Sequence, residues 1–255
     1  MDYLIAGILG AVIGSFLNVC IYRIPLGKSI VAPRSFCPFC ERPIGWFDNV
    51  PLVSFLLLGG KCRQCGKTIP IRYFLVELVT ALSGAVLLFY FAWSFEFFIY
   101  WIFTCMLIVV AAVDIERREI PDVISIPGIF LGMFLMAVFR LDGSVAHWNS
   151  FLNSVLGVLA GSASMFLLSV FGALVFRREA LGGGDVKLMG MIGAFLGWKL
   201  VLLTFFLAPV LGLGVGVYMK IKSDEKVIAY GPYLSLGALI SLLYGDRILG
   251  YIFVF

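Results

Sequence analysis

Two aspartates and two pairs of cysteines are the residues of this chain whose types and spacing could do chemistry. Asp114 ends a long apolar run, Trp101-Ile-Phe-Thr-Cys-Met-Leu-Ile-Val-Val-Ala-Ala-Val-Asp114, and Asp185 lies in Leu181-Gly-Gly-Gly-Asp-Val-Lys187. A carboxylate at an apolar helix is costly, so its presence asks for a purpose. Two carboxylates that face each other can share one proton. One then activates water as a base while the other hydrogen-bonds the carbonyl under attack, which is aspartic-type peptide hydrolysis. Gly182, Gly183 and Gly184 would let the backbone take φ > 0 and approach a neighbour closely. They would also leave room for an extended substrate beside Asp185, with Lys187 in the same loop. Taken singly, Asp114 could instead pair with Arg117 or Arg118, and Asp185 could cap the helix it opens. Asp122 follows Pro121 and reads as a helix start. The only histidine, His147, falls in a loop on the other side of the membrane, so Ser–His and metal-protease chemistries lack their base.

Cys37-Pro-Phe-Cys40 and Cys62-Arg-Gln-Cys65 are two C-x-x-C pairs with 21 residues between them. Each pair can give two thiolates to one ion, and together they match a four-cysteine zinc site. A cytosolic position favours metal over disulfides, because thiols stay reduced there. With all four positions filled by sulfur the zinc would be structural, clamping a loop too short to build its own core. Disulfides or a redox pair are the alternatives. Cys20 and Cys105 sit in apolar runs and read as small hydrophobes.

These groups need elements to hold them, and the composition says what kind. The chain is 62% hydrophobic with 24 Phe, and only 13% of it is charged. A soluble domain is about half apolar and a quarter charged, so lipid must cover this one. Spans of about 20 apolar residues are expected over 3–22, 71–93, 97–114, 123–140, 151–176, 186–198, 200–219 and 228–252. The fold class is therefore an all-α polytopic membrane protein of about eight transmembrane helices with a small zinc-binding cytoplasmic loop domain. The domains are 1–24 as the first helix, 25–70 as the cysteine loop, and 71–255 as a transmembrane protease core. Residues 52–58 are too short to span; they pack on the membrane surface or form the loop's core. No internal repeat is evident.

Placing 23–70 in the cytoplasm leaves only Arg140, Lys199 and Arg247 outside, of 19 Lys and Arg. This strong positive-inside bias puts both termini outside and both aspartates on the cytoplasmic face. No basic region precedes the first apolar run, so that run reads as a retained helix, not a cleaved signal. The basic residues do not form a soluble face, which argues against a nucleic-acid partner.

With these motifs the chain resembles the type IV prepilin peptidases, bifunctional leader peptidases and N-methyltransferases of pilus and type II secretion systems. The resemblance is carried by Gly14-Ser-Phe-Leu-Asn-Val19 with Tyr22-Arg-Ile-Pro25, by Pro33-Arg-Ser-Phe-Cys-Pro-Phe-Cys40 and Lys61-Cys-Arg-Gln-Cys65, and by Arg72-Tyr-Phe-Leu-Val-Glu-Leu78. Asp114 with Ile120-Pro-Asp122 resembles the first catalytic block, and Gly182-Gly-Gly-Asp-Val-Lys187 the second, of GxGD type. It implies that Asp114 and Asp185 are the catalytic pair. It implies cleavage of the basic leader of prepilins or pseudopilins after a glycine, in the bacterial inner membrane. It also implies methylation of the new N-terminus from S-adenosylmethionine, an activity tied to the cysteine loop and Gly60. The last-helix signature departs from the family's usual form and reads Ala229-Tyr-Gly-Pro232. Glu41, Glu77, Glu116 and Glu119 could meet a basic leader, with plain solvation the simpler expectation. Two other readings remain: a leader peptidase without methyltransferase activity, and a non-enzymatic membrane scaffold with a zinc-clamped docking loop.

Overall fold

The computed structural model describes residues 1–143, 146–176, 182–222 and 229–252. Leu181 of the glycine loop, Arg177, Arg178, Lys226 and the first residue of the last expected span lie outside the described residues. Among the described residues eight α-helices follow one another: α1 (Asp2–Arg23), α2 (Val53–Leu57), α3 (Arg72–Phe91), α4 (Phe95–Arg117), α5 (Asp122–Phe139), α6 (His147–Phe176), α7 (Gly183–Lys222) and α8 (Gly231–Ile252). Among the described residues the only β-pairing is two isolated bridges, one on each side of α2 in the segment between α1 and α3. Among the described residues six stretches are long and apolar enough to cross a membrane: Asp2–Leu26, Arg72–Phe91, Phe95–Arg117, Asp122–Phe139, His147–Leu174 and Gly183–Gly214. Helices are the expected solution, because backbone groups in lipid must be satisfied within the chain. Phe89, Phe130, Phe134, Phe166 and Phe171 point outward from them, and only lipid could cover such a surface. The chain is an all-helical, multi-pass membrane protein.

It divides into two compact units, 1–109 and 110–255. In the first, α1 packs along α3. The contact is made by Gly10-x-x-x-Gly14: a Cβ on Gly10 would lie 2.7 Å from the Ala81 backbone, and one on Gly14 2.7 Å from that of Glu77. Small residues four apart let two membrane helices touch backbone to backbone, where van der Waals contact replaces the missing hydrophobic drive.

The second unit is built around α7, which packs against α5, α6 and α8. Its Leu188, Met189, Met191, Ile192, Ala194 and Phe195 are all fully buried. Gly157-x-x-x-Gly161 repeats the device on α6. Gly157 abuts the backbone of Gly193, and Gly161 that of Met189. Ser154 Oγ adds a hydrogen bond of 2.7 Å to the Ala194 carbonyl.

The two expected spans 186–198 and 200–219 form one helical element, interrupted at Gly197 (φ 76°, ψ 176°). That backbone region suits glycine alone. Asn153 fills the space a side chain would need and accepts from the Trp198 N–H at 3.4 Å. α4 runs two residues earlier and three later than the expected 97–114. Asp122 is the first residue of α5, as its place after Pro121 suggests.

Candidate active site and metal centre

Asp114 sits in the last turn of α4 and is 5% exposed. Its Oδ2 accepts a hydrogen bond of 2.7 Å from the backbone N–H of Gly231, at the start of α8. The approach needs glycine, since a Cβ on Gly231 would stand 2.8 Å from that same oxygen. α4 ends at Arg117, and the left-handed backbone of the next residue, Arg118 (φ 57°), turns the chain toward Ile120-Pro-Asp122.

Asp185 lies in the first turn of α7 and is 9% exposed. Its Oδ2 accepts from the Gly182 N–H at 3.2 Å, and its own N–H donates to the Gly182 carbonyl at 3.1 Å. This is half of a capping box, with Gly182 at the cap and the carboxylate reaching back from the third helical position. Asp185 is thus not the N-cap itself, as the alternative reading had it, but the residue that bonds back to it, and its second carboxylate oxygen is left available. Asp185 also feels the charge of Asp114, so the two carboxylates belong to one electrostatic cluster. Tyr230 lies within reach of the charge on Asp185. Gly231 thus bonds Asp114, and its neighbour Tyr230 lies within electrostatic range of Asp185.

The glycines of this loop differ in what they do. Gly183 and Gly184 are already helical, so the expected φ > 0 is not their use. A Cβ on Gly184 would lie 2.9 Å from the Ile120 Cβ, whereas one on Gly183 would meet nothing within 4 Å among the described residues. A Cβ on Gly182 would come no closer than 3.8 Å to the Asp185 carboxylate. Close approach, not left-handed backbone, explains Gly184. Lys187 points away to an exposed ion pair with Asp122, Nζ to Oδ2 at 2.6 Å, joining the starts of α7 and α5. His147 opens α6 in an exposed position and hydrogen-bonds the Ala137 carbonyl.

In the first unit, the sulfurs of Cys37, Cys40, Cys62 and Cys65 lie within 4.8 Å of one another. Cys37 and Cys65 are 3.9 Å apart. Tetrahedral zinc at ~2.3 Å from each sulfur places sulfurs ~3.8 Å apart, so a small contraction would close the site. The backbone N–H groups of Cys65 and Gln64 hold the Cys62 thiol down at about 7. Cys65 receives an N–H from Lys67, yet desolvation and the three neighbouring sulfurs push it up to about 11. Four thiolates this close would need a cation between them, and the donor set fits a metal ion.

Each pair forms a knuckle, and the knuckles are copies. Cys37 N–H donates to Arg42 O as Cys62 N–H does to Lys67 O, and Glu41 N–H returns to Cys37 O as Gly66 N–H does to Cys62 O. Ile44 pairs with Ser35 as Ile69 pairs with Gly60. Residues 35–44 and 60–69 are thus a ten-residue repeat, correcting the expectation of none. Gly66 and Glu41 occupy the same left-handed position. Gly60 closes the second knuckle with φ 67°, and the Phe55 ring stands 3.1 Å from where its Cβ would be.

Glu77 corrects another expectation: it is not solvated but 8% exposed, with Oε2 accepting from the Leu52 N–H at 2.8 Å. Segment 52–58 is two-sided. Phe55 turns in toward Phe74, whereas Leu56 and Leu57 are exposed. Tyr230 and Gly231 enter the sequence reading only as part of the last-helix signature Ala229-Tyr-Gly-Pro232, with no role at the aspartates. Their signal was the Tyr-Gly-Pro run before the last helix.

The family model described as Type IV leader peptidase family matches residues 101–217, and that described as Bacterial Peptidase A24 N-terminal domain matches 8–92. Several relatives carry the name prepilin leader peptidase/N-methyltransferase. One from Myxococcus xanthus is 38% identical over 86% of this chain, which spans 63% of that relative's length. One from Neisseria gonorrhoeae is 32% identical, covering 96% of this chain and 91% of the relative. One from Bacillus subtilis is 35% identical, covering 96% and 95%. No solved structure matches.

Proposed function

The chain belongs to the type IV leader peptidase family, and from that membership we propose that it removes the basic leader of a prepilin or pseudopilin and N-methylates the residue exposed. Cleavage falls after a glycine, at the cytoplasmic face of the bacterial inner membrane. The observation that carries this reading is the pair of buried carboxylates, Asp114 and Asp185, coupled electrostatically and each held by a backbone N–H.

In this reading one carboxyl of the pair is ionised and the other protonated. The ionised one takes a proton from water as the water oxygen bonds to the scissile carbon. The protonated one gives its hydrogen to the carbonyl oxygen. Collapse of the tetrahedral carbon breaks the C–N bond, and the leaving amine takes a proton from the pair. Gly231 and Gly182 fix one oxygen of each carboxylate and leave the other to face water and substrate.

Residues 25–70 form the loop associated with methyl transfer, with zinc as the ion of the four cysteines. S-adenosylmethionine would supply an electrophilic methyl group. Retention of the whole four-cysteine loop favours the bifunctional reading over a peptidase alone. Eight membrane crossings follow if the two pieces of α7 count separately and α8 is added to the other five. Its 40 residues would run ~60 Å as one helix, twice the ~30 Å hydrocarbon core.

Incubating the purified protein with a prepilin, with and without S-adenosylmethionine, tests both activities. Mass spectrometry should find the leader gone in both cases and one added methyl only with the donor. An intact prepilin would overturn the peptidase reading, and an unmethylated product the second activity.

A further inference from the structure

The first unit encloses a cavity of about 160 Å³. Its floor is Ser15 and Asn18 of α1 with Tyr73 and Glu77 of α3, and the cysteine knuckles close it from the other side. Nothing in the peptidase chemistry uses it.

The polarity of its walls is specific. Asn18 is 2% exposed. Its Nδ2 donates to the Tyr73 carbonyl at 2.9 Å, but its Oδ1 is buried with no hydrogen-bond partner among the described residues. An orphaned buried acceptor is destabilising and asks for a donor or a cation. Beside it the buried Glu77 carboxylate is engaged by the Leu52 N–H and the Ser15 hydroxyl. The floor is therefore electron-rich. The lining also carries the cations Arg23, Arg42, Arg63 and Lys67, of which Arg63 is paired with Asp48, and the rings of Tyr22 and Phe36. A ligand that fits has a cationic centre with N–H donors at one end, a carboxylate within reach of basic residues, and room for contact with aromatic faces.

Resting on the methyltransferase reading above, we propose that this cavity binds the methionine end of S-adenosylmethionine. The ammonium and sulfonium face Asn18 Oδ1 and Glu77, and the carboxylate faces Arg42 and Lys67. The volume supports the division of the ligand. Pockets for whole drug-sized ligands run about 300–1,000 Å³, so this one takes the methionine end, and the nucleoside lies toward its open side. The clamp of four cysteines then acquires a purpose: Cys37 and Cys62 line the cavity, and the metal holds its lid in register.

The test uses the full chain in detergent with its metal. Isotope-labelled S-adenosylmethionine is bound to the wild type, fixed by ultraviolet light, and the labelled peptides are mapped. Label on segments 15–23, 35–44 or 62–77 is expected; label confined to 110–255 overturns the proposal. Equilibrium dialysis of Asn18→Leu and Glu77→Gln should show at least tenfold weaker donor binding, at a melting temperature and metal content close to wild type. Affinities within twofold of wild type in both variants overturn it. A wild type that binds donor and methylates prepilin while these results fail loses only the cavity. A wild type that neither binds donor nor methylates removes the methyltransferase reading as well.

Discussion

The backbone N–H of Gly231 donates to the carboxylate of Asp114 across 117 residues of sequence. One hydrogen bond thus joins the end of α4 to the start of α8, and it sets the direction in which the first of the two aspartates points. Gly231→Ala would place a methyl 2.8 Å from Oδ2, closer than van der Waals contact allows. Leader cleavage should fall at least tenfold, since displacements of about an ångström at a catalytic group cost on the order of 100-fold. Steady-state cleavage of a prepilin by the purified variant measures it.

Gly183 and Gly184 should separate cleanly. Gly184→Ala drives a methyl into Ile120 and should cost about 1–3 kcal/mol by overpacking. Gly183→Ala enters open space in a helix and should be neutral or stabilising by up to ~1 kcal/mol. Thermal melts of the two variants in one detergent compare them directly.

The Lys187–Asp122 ion pair is exposed on both sides, and its removal should change stability by no more than about 1 kcal/mol. Lys187→Met should melt close to wild type. A shift of many degrees would show that Lys187 does more than bridge two helix starts.

Metal retention should follow pH in one direction. A metal ion binds thiolates, and the free Cys65 thiol stands at about 11, so binding at neutral pH must expel its proton. Protons compete more strongly as pH falls, so affinity should weaken at least tenfold, roughly, from pH 8 to pH 6. Chelator titrations at the two pH values read this out. Cys40→Ser should lose the metal at both.

Much of this organisation is legible in local sequence, because the chemistry that fixes it is local. Cysteine spacing alone marks the knuckles, and the polar Trp198-Lys199 step marks the interruption near Gly197. The knuckle repeat escaped notice because only its cysteines and closing isoleucines recur between 35–44 and 60–69. Glu77 was misjudged because sequence does not tell which side of a helix faces protein. The role of Gly231, within the Tyr-Gly-Pro run, is not legible for a deeper reason: a glycine offers only its backbone, and its partner is distant in the chain. The aspartates stood out because a carboxylate beside lipid is expensive and therefore informative.

The most direct test is leader cleavage by Asp114→Asn and Asp185→Asn. Asparagine keeps an oxygen that can accept from Gly231 or from Gly182, so each variant should keep its hydrogen bond and its fold while losing the ionisable group. With both variants melting near wild type, each should leave a prepilin uncut over a time in which wild type processes it fully. Normal processing by either variant would contradict the dyad.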